Sequence, residues 1–158
     1  MKKYLVIGNP IEHSLSPNLH NFWIKNYNLD AIYEKKKLNY NELKDLILKV
    51  KEKEISGVNV TVPFKTEVIK YLDTLSLEAK STNSVNTICL QNDKVIGHNT
   101  DIDGFRLSLD NSKFNLRDKK IFVLGAGGVV PSIIFTLEKM NVSEIIISNR
   151  TKTKAENL

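Results

Sequence analysis

The sequence predicts an α/β protein: a mostly parallel sheet with helices, followed by part of a Rossmann-like dinucleotide-binding unit. Short apolar runs alternate with helical patterns along the 158 residues, and such alternation is typical of a layered α/β architecture. A glycine-rich turn, Gly125-Ala126-Gly127-Gly128, follows one apolar run and precedes a helical pattern. This is the setting of the phosphate-binding turn in dinucleotide-binding folds.

Three strands and two helices are predicted first. The strands are expected over residues 4–7, from 31 onwards and over 58–62. Ser16-Pro17 predicts a helix to about residue 27, with Ser16 as N-cap and Pro17 at the first helical position. Apolar residues at helical spacing predict an amphipathic helix over 40–53.

The middle of the chain predicts short helices, a hairpin and a longer helix. The short helices are expected over 64–71 and 77–82, and the hairpin strands over 85–90 and 94–97, around Asn92-Asp93. Asn99 or Thr100 can cap a helix that reaches about residue 109. The polar stretch 111–119 predicts a boundary, with domains over 1–110 and 111–158.

A single βαβ unit follows the boundary, with strand, helix and strand over 120–124, 129–140 and 144–148. A dinucleotide normally lies across two such halves. We therefore expect this chain to be the N-terminal portion of a longer protein, or a truncated relative of one.

Composition excludes several classes. The net charge of +5 comes from scattered lysines, without the basic block and interleaved aromatics expected of a nucleic-acid-binding protein. Cys89 is the only cysteine, so no intrachain disulfide can form. The N-terminal apolar run is too short for a signal peptide or a membrane span, and we expect a cytoplasmic protein.

The glycine loop predicts a dinucleotide site, although Val130 stands where a third small residue is usual. Pro131 is tolerated only in the first turn of the following helix. The alternative is a plain strand–helix turn without a ligand.

The end of the next strand favours NADP over NAD. NAD-binding units place an acid about 20 residues after the glycines, whereas this chain has Asn149-Arg150-Thr151 there. The guanidinium of Arg150 suits a phosphate, and without the glycine loop it would be read as a surface residue.

Hydroxyls and charges at loop positions predict a second site. Ser14 and Ser16 can both meet a carboxylate, although Ser16 can also be only a cap. Lys65 lies near a helix start, where the helix dipole repels a cation, and this misfit favours a functional role. Asp101 is an ordinary helix-start acid by itself, and no histidine, cysteine or carboxylate spacing predicts a metal site.

Together these segments resemble the shikimate dehydrogenase family. The matching segments occur in the family's order over almost the whole chain: Gly8-Asn9-Pro10, His13-Ser14, Ser16-Pro17, His20-Asn21, Asn59 to Lys65, Ser84 to Thr87, Asn99-Thr100-Asp101, Gly125 to Gly128 and Asn149-Arg150-Thr151. The resemblance implies reversible NADP-dependent reduction of 3-dehydroshikimate to shikimate.

The resemblance also implies residue roles. It assigns Ser14 and Ser16 to the substrate carboxylate, Asn59 to bracing the site, and Lys65 with Asp101 to catalysis. The ring hydroxyls are assigned to Thr61, Lys65, Asn86 and Asp101. The dinucleotide is assigned to Gly125, Ala126, Gly127, Gly128, Val129, Asn149, Arg150, Thr151 and Lys154.

Alternatives remain open at this point. Within the same fold, the protein can be a quinate/shikimate dehydrogenase that uses NAD, against which Arg150 argues. It can also be a module that binds shikimate without turnover, against which the intact Lys65 and Asp101 argue. The sequence leaves open whether the protein is a monomer or a homodimer.

Overall fold

The computed structural model describes residues 1–158 and contains eight strands and six α-helices. The strands are β1 (Lys2–Gly8), β2 (Ala31–Lys37), β3 (Gly57–Val60), β4 (Thr74–Leu75), β5 (Thr87–Gln91), β6 (Lys94–His98), β7 (Lys120–Leu124) and β8 (Glu144–Ser148). The helices are α1 (Ser16–Asn26), α2 (Leu43–Lys51), α3 (Leu77–Thr82), α4 (Asp101–Ser112), α5 (Val130–Lys139) and α6 (Lys152–Glu156), with 3₁₀ turns over Tyr40–Glu42 and Glu67–Tyr71. None of the helices is both long and apolar enough to cross a bilayer.

Six strands form one sheet in the order β2-β1-β3-β5-β6-β4, and β7 and β8 form a separate parallel pair. Strand β1 pairs in parallel with β2 and β3, and β4 with β6, whereas β5 is antiparallel to both neighbours. The predicted α/β class, with a mostly parallel first sheet, is confirmed. The predicted hairpin is β5–β6, and Asn92 and Asp93 have positive φ angles, as a two-residue hairpin turn requires.

The core lies on the face of the sheet that α2 covers. Residues Leu43, Leu46, Ile47 and Val50 of α2 are all buried, as the helical spacing predicts. Alternate residues of β3 enter the same core, since Val58 and Val60 belong to it. Asn59 between them therefore points to the opposite face, where α1 packs on β2.

Several elements differ from the prediction. Strand β3 ends at Val60, and the stretch after it forms a turn with a fully buried Phe64 before a 3₁₀ turn begins at Glu67. Strand β4 has two residues, which is too short for any sequence periodicity. Ser16 is the first residue of α1, and Leu15 occupies the cap position.

The predicted cap at Ser16 is therefore wrong. The Ser14 hydroxyl instead accepts the Ser16 backbone N–H at 3.4 Å. This bond stabilises the turn that leads into α1, because a serine oxygen can accept from an amide two residues further on.

The βαβ unit from β7 to β8 lies against helices α3 and α4 through α5. Helices α4 and α5 pack on each other, and the Thr136 hydroxyl hydrogen-bonds the Ile102 carbonyl at 3.4 Å. The division at residues 110 and 111 stays a prediction, and α4 itself runs on to Ser112.

Candidate active site

The candidate site begins where β1 and β3 end, because parallel strands bring their carboxyl ends to one edge of the sheet. The Thr61 N–H donates to the Ile7 carbonyl at 2.9 Å, and the Asn9 N–H donates to the Val62 carbonyl at 3.0 Å. A Cβ at Gly8 would lie 2.7 Å from Cγ2 of Thr61. Only glycine permits this approach of the two loops without displacing the Thr61 side chain.

Three of the predicted carboxylate- and hydroxyl-binding residues line one cavity of about 260 Å³: Ser14, Ser16 and Thr61, with His13 beside them. The amides of the first turn of α1 are already used: the Asn18 and Leu19 N–H groups donate to the Leu15 carbonyl at 3.0 and 3.2 Å, the Ser16 N–H donates to the Ser14 hydroxyl, and Pro17 has no N–H. The cavity can therefore offer the hydroxyls of Ser14, Ser16 and Thr61 as hydrogen-bond donors to an anion.

Tyr33 organises this cavity from behind, and sequence analysis missed it. Its hydroxyl donates to Oδ1 of Asn59 at 2.7 Å. Burial raises the pKa of Tyr33 to about 12, and a hydrogen bond with Ser16 opposes the shift.

Both ends of the Asn59 side-chain amide are used within the protein. The amide nitrogen donates to the Thr87 hydroxyl at 3.1 Å and to the Asn86 carbonyl at 3.3 Å. Its oxygen accepts from Tyr33.

Two lysines hold the loop that carries Ser14. The Lys35 ammonium donates to the Glu12 carbonyl at 2.6 Å, and the Lys37 ammonium pairs with the Glu12 carboxylate at 3.2 Å. The backbone N–H of Glu12 itself, the Lys37 ammonium and the Ile11 N–H lower the pKa of Glu12 to about 2. The carboxylate is therefore charged at neutral pH, and the loop stays bound to the lysines of β2.

Lys65 and Asp101 form an ion pair with Nζ and Oδ2 2.6 Å apart. Their side chains are only 13% and 23% exposed, respectively. The second carboxylate oxygen of Asp101 accepts from Nδ2 of Asn86 at 2.8 Å. Because an ammonium has three N–H donors, Lys65 keeps two for a ligand after this pairing.

The Asn86 side chain is oriented by the residue before Asp101. Its oxygen accepts the Thr100 N–H at 3.0 Å, and its nitrogen donates to the Thr100 hydroxyl at 2.9 Å. Of the two predicted helix caps, Asn99 supplies the side-chain bond, because its oxygen accepts the Asp101 N–H at 3.0 Å. The side chains of Lys65, Asn86 and Asp101 are therefore fixed by bonds to one another and by the bonds that Thr100 and Asn99 form with two of them.

The glycine loop lies beside this group. A Cβ at Gly128 would be 3.9 Å from Cδ of Lys65, and one at Gly127 would meet no atom within 4 Å. Gly125 has a φ of +105°, a conformation that favours glycine. Pro131 is the second residue of α5, so its predicted place in the first helical turn is confirmed.

The other predicted cofactor residues lie just after β8, in α6 and at the start of α5. The Asn149 side chain joins the two turns, since its oxygen accepts the Ala126 N–H at 3.1 Å and its nitrogen donates to the Thr151 carbonyl at 2.8 Å. Val129 stands at the cap of α5. The side chains of Arg150, Thr151 and Lys154 are exposed. The sequence has no acidic residue between the end of β8 and Glu156.

The structure thus collects the predicted residues into three neighbouring groups: the serine cavity, the Lys65–Asp101 pair and the glycine loop. It also adds Tyr33, Asn99 and Ser132, which sequence reasoning did not place in the site. The sequence indicates Asn99, because it is a candidate helix cap two residues before Asp101. Nothing in the sequence distinguishes Tyr33 or Ser132 from ordinary strand and helix residues.

Known proteins are similar to this chain over almost its whole length. Residues 6–88, more than half of the chain, match the family model "Shikimate dehydrogenase substrate binding domain", and residues 108–158 match "Shikimate / quinate 5-dehydrogenase". A shikimate dehydrogenase (NADP(+)) of Pelagibacter ubique is 54% identical over 98% of the chain, and the chain covers 58% of that relative's length.

Solved structures give the same result. A shikimate dehydrogenase from Aquifex aeolicus superimposes with a TM-score of 0.92 at 41% identity, over 99% of this chain and 59% of the other. A shikimate 5-dehydrogenase from Thermus thermophilus, solved with NADP(H) and shikimate, superimposes with a TM-score of 0.88 at 31% identity, over 99% and 59% of the two chains. The chain therefore spans less than two thirds of these relatives.

Proposed function

Because the chain belongs to the shikimate dehydrogenase family, we propose that it supplies the substrate site and the first part of the NADP site of an enzyme that reversibly reduces 3-dehydroshikimate to shikimate. The observation that carries the proposal is the largely buried Lys65–Asp101 pair, with Asn86 on one side and Gly128 on the other. A pair in this place can donate a proton to a substrate oxygen, or accept one from a substrate hydroxyl, beside a bound dinucleotide.

The reduction adds a hydride and a proton to the substrate, and the two come from different groups. NADPH, when bound, supplies the hydride that reduces the substrate carbonyl carbon. The Lys65 ammonium donates a proton to the oxygen that becomes a hydroxyl, and in the reverse direction neutral Lys65 accepts it. Asp101 holds Nζ of Lys65 in place, and its carboxylate accepts a hydrogen bond from a ring hydroxyl.

Substrate binding uses the two neighbouring groups. Ser14 and Ser16 take the carboxylate at the start of α1, and Thr61 joins them to the ring. Asn86 faces the ring hydroxyls together with Lys65 and Asp101. The tight turn that links Thr61 to Phe64 connects the serine cavity to Lys65.

Replacing Ser14 with alanine is expected to weaken shikimate binding about tenfold. The Ser14 hydroxyl lines the cavity, and a hydrogen bond to a charged group contributes about 1.5–3 kcal/mol. Calorimetric titration of the variant measures the effect, with the exposed Ser108→Ala as matched control. Equal dissociation constants for Ser14→Ala and wild type would rule out this role of Ser14.

The glycine loop and the end of β8 form the proposed NADP site. Gly125, Ala126, Gly127, Gly128 and Val129 receive the pyrophosphate at the start of α5. Arg150, Thr151 and Lys154 hold the 2′-phosphate, and Asn149 sets the distance between the two turns.

Replacing Arg150 with alanine is expected to weaken NADP⁺ binding to the whole protein about tenfold and to leave NAD⁺ binding within twofold. NAD⁺ lacks the 2′-phosphate that the guanidinium would bind. Titration of both nucleotides measures this, with the exposed Arg117→Ala as control. A parallel loss for both nucleotides, or a wild-type protein that prefers NAD⁺, would favour the NAD-using quinate/shikimate alternative.

A cytoplasmic setting is part of the proposal. Cys89 has no partner for an intrachain disulfide, in keeping with a reducing compartment. Cys89 is partly buried on β5, and burial raises the pKa of its thiol.

A further inference from the structure

Asn99 lies almost completely buried between the two units of the chain, with 4% of its surface exposed. Its side-chain nitrogen faces the Ser132 hydroxyl at 2.8 Å, the Thr82 hydroxyl at 3.0 Å and the Ser84 carbonyl at 3.1 Å. Its oxygen accepts the Asp101 N–H at 3.0 Å. Every hydrogen-bonding atom of the side chain is therefore used.

The chemistry of these partners allows only one orientation of the amide. The Ser84 carbonyl can only accept and the Asp101 N–H can only donate, so the nitrogen of Asn99 must face Ser84 and the oxygen must face Asp101. A flipped amide would leave both groups unpaired in a buried place, which costs about 1–3 kcal/mol for each of them.

The two ends of Asn99 reach two different parts of the proposed site. The Asp101 N–H is the first amide of α4 and has no partner within that helix. Ser132 is the third residue of α5, four residues after Gly128, and it is fully buried. Asn99 thus joins the start of the helix that carries the carboxylate to the start of the helix that follows the glycine loop.

We propose that Asn99 is a positioning residue that, through Ser132, holds Asp101 and the glycine loop in one fixed arrangement. The inference rests on the proposed function. Asn99 touches neither substrate nor dinucleotide; it sets the place from which Lys65 and Asp101 face the bound dinucleotide. A shift of about 1 Å between reacting groups is enough to slow a reaction strongly.

Three variants separate positioning from simple stabilisation. Asn99→Ala removes both links, Ser132→Ala removes only the link to α5, and Thr82→Val removes a bond of the same buried network that leads to neither Asp101 nor α5. All three are compared by shikimate titration, and by kcat and KM in the whole protein.

The expected pattern differs for each variant. Asn99→Ala weakens shikimate binding at least tenfold and lowers kcat. Ser132→Ala leaves shikimate binding within twofold but lowers kcat about fivefold. Thr82→Val lowers the melting temperature without changing either constant by more than twofold. Equal kinetic constants in Ser132→Ala and Thr82→Val, or equal losses in Asn99→Ala and Thr82→Val, would overturn the proposal.

A measurement without ligand keeps the proposal distinct from the proposed function. Hydrogen exchange of the Asp101 amide, followed by NMR on this chain, is expected to rise at least tenfold in Asn99→Ala beyond any change shared by the core amide of Val58. In Thr82→Val, the exchange rates of the Asp101 and Val58 amides are expected to change by the same factor. If wild type binds no shikimate, the proposed function fails, while the exchange of Asp101 still decides the role of Asn99: a rise shared equally by Val58 refutes it.

Discussion

Replacing Lys65 with alanine is expected to lower the turnover of the whole protein about 10²- to 10⁴-fold. Proton transfer by a positioned side chain typically contributes this much. Lys65 has the position for it, because its ammonium pairs with Asp101 at 2.6 Å and its stem lies beside Gly128. Steady-state kinetics in both directions, with saturating shikimate or 3-dehydroshikimate, measure the loss.

The loss should appear mainly in kcat. Asn86, Asp101 and the serine cavity remain in Lys65→Ala, so KM for shikimate should change less than tenfold. Lys70→Ala serves as control, because Lys70 is an exposed lysine paired with Glu67 at 3.4 Å. Turnover of Lys65→Ala within threefold of wild type would show that another group moves the proton.

Replacing Asp101 with alanine is expected to weaken shikimate binding to this chain at least about 100-fold. The change removes a carboxylate acceptor for the ring hydroxyls, and it releases both Lys65 and Asn86 from their partner. Hydrogen bonds to charged groups contribute about 1.5–3 kcal/mol each, and each 1.4 kcal/mol is a tenfold change in affinity. Two such bonds account for the expected loss.

Calorimetric titration of wild type and Asp101→Ala with shikimate measures this effect, and circular dichroism verifies the fold. Asp103→Ala is the matched control, because Asp103 lies in the same helical turn but is exposed and contacts only Arg106 at 3.5 Å. Asp101→Asn keeps the shape of the side chain and tests the charge alone. Saturable binding of similar affinity in wild type and Asp101→Ala would remove Asp101 from the substrate site.

Much of the fold could be predicted because its signals are local. The amphipathic spacing of α2 and the turn residues Asn92 and Asp93 act within a few positions of the chain. The motif around Lys65 and the glycine loop could be recognised for the same reason, since each lies in one short segment. Strand β4 was not predicted because two residues carry no periodicity, and the start of α1 was placed one residue late because Leu15, and not Ser16, occupies the cap position.

The sequence by itself therefore determined the α/β class, most of the elements and the family to which the chain belongs. Only the tertiary structure decided which side chains meet: Lys65 with Asp101 across 36 positions, and Asn99 with Ser132 across 33. Local propensities act over a turn or a pleat, whereas the first contact depends on where the turn after β3 meets the start of α4, and the second on how α4 and α5 pack together. That packing turns an ordinary helix-start acid into the partner of Lys65, and an ordinary helix cap into a link between the two units.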